Sequence, residues 1–120
     1  MTSERLPIER LHKGRRMSEI VIHGNTVYLA GQVAEDASAD VEAQTHDVLR
    51  QIDARLAEVG TEKSRLLQAT VYLADIADFA AMNRAWEAWV DPANPPTRAT
   101  VEARLAAPEY RVEIVVVAAR

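Results

Sequence analysis

The segment that most constrains this chain is its last strand-like run, Val112-Glu113-Ile114-Val115-Val116-Val117-Ala118. Side chains alternate across a strand, so Val112, Ile114, Val116 and Ala118 share one face, and Glu113, Val115 and Val117 the other. Both faces are largely apolar, the pattern of a strand in the middle of a sheet with cover on two sides. The rest of the chain supplies cover for one. Val41, Thr45, Val48, Leu49, Ile52, Leu56 and Val59 recur at helical spacing, with Asp40 placed to cap the start and Gly60 to end the helix. Phe79, Met82, Trp86, Trp89 and Val90 mark a second helix, with Asp75 and Asp78 as candidate caps and Asp91-Pro92 as its stop.

Around these helices the pattern is β. Ile8 to His12 is weakly extended. Ser18–His23 and Thr26–Leu29 are separated only by Gly24-Asn25, which predicts a hairpin. Leu67–Leu73 reads as a strand, and Pro95-Pro96 gives a rigid entry to another over Thr97–Ala103. The order, roughly β-β-β-α-β-α-β-β, predicts an α+β fold in one domain spanning residues 1–120: a mixed sheet with two helices on one face. Because a large bare apolar sheet face is uncommon on soluble monomers, the second face is expected to be covered by self-association.

Composition removes several function classes. The 120 residues include no cysteine, so disulfide scaffolds, thiolate metal sites and cysteine nucleophiles are excluded. His12, His23 and His46 are far apart, with no metal-ligand spacing, and no metal is expected. No phosphate-binding glycine loop, dinucleotide fingerprint or G-x-S-x-G element occurs, and no cofactor is expected. Fourteen basic against eighteen acidic residues give a net charge of −4, and the only dense basic run is Lys13-Gly14-Arg15-Arg16. No nucleic-acid partner is expected from that balance. The absence of a signal-like or 18-residue apolar stretch predicts no membrane association and a cytoplasmic location.

Two residues stand out chemically. Arg98 follows the Pro pair at a strand entry, where a guanidinium can be held rigidly for bidentate capture of a carboxylate; the alternative is a surface arginine on an edge strand. Glu113 shares a strand face with Val115 and Val117, so its carboxylate is either paired with a cation or tuned for acid–base work. Gly31, at the exit of the hairpin, suggests a backbone that bends or is closely approached.

Taken in order, Gly31-Gln32, Asp40-Val41-Glu42-Ala43-Gln44-Thr45, Asp78-Phe79-Ala80-Ala81-Met82-Asn83, the run Pro96 to Leu105, and Val112-Glu113-Ile114 resemble the RidA/YjgF family of small imine/enamine deaminases. The resemblance covers nearly the whole chain from about residue 18. It implies a chorismate-mutase-like fold, a homotrimer with clefts between subunits, and hydrolysis of 2-imino or 2-enamino acids to 2-oxo acids and ammonia without a cofactor. It further implies that Arg98 binds the substrate carboxylate and that Glu113 orients or activates water, with Asn83 and the Gly31 backbone lining the cleft. The sequence departs from the family pattern at three other positions. Met17 stands where a tyrosine is usual, Ala30 replaces a serine or threonine, and Thr100 a frequent cysteine. Loss of cleft hydroxyls implies changed substrate choice or lower activity, and leaves a non-catalytic small-carboxylate-binding or regulatory protein as the alternative. Read from the residues alone, Met17 is expected to be a core residue rather than part of the cleft.

Overall fold

The structure is a computed structural model and describes residues 5–120. Seven strands form one sheet: β1 (Ile8–Lys13), β2 (Ser18–His23), β3 (Thr26–Leu29), β4 (Gln32–Val33), β5 (Leu66–Leu73), β6 (Thr97–Glu102) and β7 (Val112–Ala119). Helix α1 (Val41–Glu58) links β4 to β5, and α2 (Phe79–Trp89) links β5 to β6. The strand order is β1-β2-β3-β7-β5-β6, with β4 also on β7. All pairs are antiparallel except β5–β6, where the intervening helix permits a parallel crossover.

The predicted hairpin is present: His23 pairs with Thr26, and Gly24 takes a φ of 61° at the first position of the two-residue loop, where a type II′ turn needs glycine. β3 and β4 form one line interrupted by a bulge. Tyr28 pairs with Val117 but Gln32 with Ile114, so one extra residue is accommodated around Ala30-Gly31.

Both ends of α1 follow the sequence. The Asp40 carboxylate accepts from the Ala43 N–H at 2.9 Å. At the other end Gly60, at φ 77°, donates to Ala57 O while Thr61 donates to Leu56 O, a Schellman closure. The start of α2 differs from expectation. Asp75 caps a separate 3₁₀ turn, Ile76–Asp78, and Asp78 makes no side-chain cap; its carboxylate instead lies 3.9 Å from the Arg111 guanidinium. The chain turns twice here, and the first turn takes the capping geometry.

The core lies between the helices and one face of the sheet. Val112, Ile114, Val116 and Ala118 are at most 1% exposed and pack with Val48, Leu49, Ile52, Leu56, Met82 and Trp86. Their alternates Glu113, Val115, Val117 and Ala119 are only half-buried. The molecule measures 55 × 37 × 22 Å, and its short axis has room for one sheet and one helix layer. Two-sided apolar character in β7 thus coexists with one-sided cover. Tyr28, paired with Val117, is 47% exposed on the open face. No helix among the described residues is long and apolar enough to cross a membrane.

Candidate functional site

β7 and the β3–β4 bulge build one half of the candidate site. Glu113 sits on the open face of β7, opposite Val33 and Tyr72. Its carboxylate packs against Gly31 so closely that a Cβ there would collide with it, the carboxyl carbon lying 3.0 Å from that position. The extra residue in the bulge and the missing side chain together make this approach possible. Ala30 precedes the contact, and its N–H donates to Glu19 O at 2.9 Å. Met17 lies two residues before Glu19, 52% exposed at the end of the β1–β2 turn, so it is not a core residue. Gln32, 6% exposed, donates to Ala30 O at 3.0 Å and reaches the Glu19 carboxylate at 3.3 Å, tying the bulge to β2.

β6 and α2 build the other half. Arg98 pairs with Ala69 on β5, which in turn pairs with Val116 on β7, so its side chain belongs to the helix-covered face at the open edge of the sheet. There the guanidinium lies 5.2 Å from the Trp86 ring centre and 5.8 Å from that of Phe79. Its closest hydrogen-bond partner among the described residues is a thioether, Met82 Sδ, 3.9 Å from Nη1. No carboxylate lies within ion-pair distance of it among the described residues. Burial pulls the Arg98 pKa below its ordinary value, an effect the more distant Glu87 carboxylate partly offsets. Asn83, half-buried, lies between Phe79 and Trp86 at i, i+4, i+7 spacing and so on the same stripe of α2. Thr100 follows Arg98 on the same face of β6, its Oγ1 buried without a hydrogen-bond partner.

The predicted residues therefore form two groups: Met17, Ala30, Gly31 and Glu113 in one, Asn83, Arg98 and Thr100 in the other. Within one chain they do not converge. β5 separates β6 from β7, and Arg98 and Glu113 point to opposite faces of the sheet. A concavity of about 730 Å³ lies apart from both groups, along the β6–β7 connection between Glu102 and Tyr110. Phe79 and Trp86 were legible as a helical stripe but not as neighbours of Arg98, because the parallel register that brings β6 beside α2 is a tertiary fact. No cluster of three or more metal-binding side chains occurs among the described residues.

Comparison with known proteins identifies the family. The family model described as Endoribonuclease L-PSP matches residues 8–120. A RutC family protein of Haemophilus ducreyi is 53% identical over 112 residues, covering 93% of this chain and 96% of that protein. RutC family protein YoaB of Escherichia coli K12 is 50% identical over 114 residues, covering 95% and 99%. The crystal structure of a YjgF family member from Neisseria meningitidis matches with a TM-score of 0.93 at 44% identity, covering 98% of each chain. Over residues 8–120, this chain belongs to the RidA/YjgF family.

Proposed function

We propose that the protein hydrolyses reactive 2-imino and 2-enamino acids to 2-oxo acids and ammonia, in clefts completed between copies of the chain in a homotrimer. The observation that carries this reading is the state of Arg98: a partly desolvated guanidinium, flanked by aromatic rings, with no carboxylate in ion-pair distance among the described residues. Such a group is complementary to an anion that arrives from outside, and its planar fork suits a carboxylate. The bare β7 face supports assembly, and the opposed directions of Arg98 and Glu113 are accounted for if one copy supplies the carboxylate clamp and another the Glu113 half.

In the reaction, Arg98 fixes the substrate carboxylate and so positions C2. Glu113 accepts a proton from water as its oxygen bonds to the protonated imine carbon, giving a carbinolamine. The nitrogen then takes that proton back from Glu113, the C–N bond breaks, and ammonia leaves as the hydroxyl gives its proton to Glu113 and the carbonyl forms. The net change is addition of one water and release of one ammonia. Asn83 and Thr100 line the Arg98 side of the cleft, Met17, Ala30 and Gly31 the Glu113 side.

A second reading, binding without turnover, is favoured by Ala30, which places no hydroxyl beside Glu113. One experiment separates the two. The purified protein is added to threonine dehydratase and decay of the released imine is followed. Catalysis predicts acceleration that Arg98→Ala abolishes; equal decay with wild type and Arg98→Ala leaves only binding, to be measured by calorimetry with 2-oxobutanoate.

A further inference from the structure

Glu113 stands on the open face between two cross-strand neighbours, Val33 and Tyr72, and only Tyr72 carries a side-chain donor. We propose that Tyr72 is a positioning residue for Glu113: its hydroxyl donates a hydrogen bond to the carboxylate and fixes the oxygen that faces the attacking water. The inference rests on the role proposed for Glu113 in imine hydrolysis.

The placement follows from register. β5 pairs with β7 so that Tyr72 lies directly opposite Glu113. Residues opposed in this way share a face, with their Cβ atoms about 5 Å apart. On its far side Tyr72 is flanked by Val101 of β6. The row across the open face thus reads Val33, Glu113, Tyr72, Val101: a carboxylate and a phenol side by side between two aliphatic side chains. The other two tyrosines lie elsewhere. Tyr28 pairs with Val117, which is about 13 Å along β7 from Glu113. Tyr110 lines the concavity of the β6–β7 connection. Arg111, the nearest cation along the chain, has its guanidinium 3.9 Å from the Asp78 carboxylate.

Chemistry pairs the two groups. Neither side chain has a hydrogen-bond partner among the described residues. Both are half-buried. A second copy that covers the open face removes water from them together, and buried polar groups are costly unless they bond to each other. Oε2 of Glu113 is the oxygen turned toward Gly31. Oε1 is then the one that takes the phenol, and Oε2, beside the Gly31 backbone, is left for water.

Tyr72→Phe keeps the ring and removes only the hydroxyl, which separates positioning from packing. Imine hydrolysis is expected to slow about tenfold, the scale of one hydrogen bond to a charged group. Calorimetric affinity for 2-oxobutanoate and the sedimentation profile should stay as in wild type. Tyr28→Phe, at the other phenol of the open face, should leave the rate unchanged. The bond can also be read by NMR on protein labelled with carbon-13 at the tyrosine Cζ. The chain has three tyrosines, and Tyr72→Phe identifies one resonance by its loss. Glu113→Ala should shift that resonance and leave those of Tyr28 and Tyr110 in place. An unchanged rate in Tyr72→Phe, affinity that falls in step with the rate, or a Tyr72 resonance indifferent to Glu113→Ala overturns the inference. Each of those results with an active wild type leaves the hydrolase reading standing. A wild type that hydrolyses no imine sinks that reading and the positioning role with it.

Discussion

The Glu113 carboxylate occupies the volume that a side chain at Gly31 would need. This contact joins the one acidic group on the open face of β7 to a bulge in the neighbouring strand line. It gives the glycine a reason to be there that does not depend on φ. Gly31→Ala is expected to fold normally, because the colliding atoms are the end of a flexible side chain. The carboxylate would move, however, and a displacement of about 1 Å at a reacting group costs up to a hundredfold in rate. A thermal melt unchanged within a few degrees, together with a large fall in imine hydrolysis, is the expected pair of results. A melt lowered in step with activity would instead make Gly31 a structural residue.

Gln44 is fully buried, yet its Nε2 donates to Ala37 O, Ala39 O and Glu109 O at 3.0–3.2 Å and its Oε1 accepts from the Arg111 N–H at 2.9 Å. Two amide hydrogens serve three carbonyls, so one bond is shared. The residue pins the loop before α1 and the β6–β7 connection to the start of β7, two residues from Glu113. Gln44→Leu keeps the volume but strands four backbone groups, and is expected to cost about 3 kcal/mol of stability. Chemical denaturation should show that loss as a lowered midpoint with an unchanged slope.

The sequence already contained the outline: the seven-residue stripe of α1, its Asp40 and Gly60 termini, the Gly24-Asn25 hairpin and the two-faced β7 are local patterns that the fold preserves. What it could not show depends on register. Asp78 reads as a helix cap, but a 3₁₀ turn capped by Asp75 comes first and leaves Asp78 near Arg111. Gln44 reads as a polar position one step off the apolar stripe, and only tertiary packing buries it. Arg98 and Glu113 were each visible as unusual residues. Their assignment to opposite faces follows from the β5–β6 and β5–β7 pairings, which no spacing in the chain predicts.

The loop that leads into β6 makes a prediction about pH. Asp91 has its pKa lowered from the ordinary carboxyl value, first by the Asn94 side-chain amide at 3.1 Å, then by the Ala93 N–H at 2.9 Å. A depressed folded-state pKa means that its contribution is present above the unfolded value, near 3.9, and is lost as pH falls through the folded one. The turn before Pro95-Pro96, and the entry of the strand bearing Arg98, should therefore be insensitive to pH near neutrality and loosen only in acid. Asn94→Ala is expected to raise the Asp91 pKa toward its ordinary value, read from the carboxyl carbon shift in an NMR titration. An unmoved titration would assign the depression to the backbone N–H groups and the nearby Lys63 charge instead.

Because Arg98 and Glu113 of one chain face opposite sides of the sheet, assembly and activity are predicted to fail together. Val117 is a suitable probe: it is half-buried on the open face, paired with Tyr28 on one side and Gln68 on the other, and takes no part in the helix-side core. Val117→Glu puts a charge where a second copy would pack, at little cost to the isolated fold. Sedimentation should show a trimer for wild type and a monomer for the variant, with the circular dichroism spectrum unchanged. Imine hydrolysis should be lost in the monomer although both Arg98 and Glu113 remain. The complementary experiment mixes inactive Arg98→Ala and Glu113→Gln chains. If each cleft draws these residues from different copies, mixed trimers contain clefts in which both are intact, and part of the activity returns. A fully active Val117→Glu monomer, or mixed trimers without any recovery, would place the working site within a single chain and require β6 to move relative to β7.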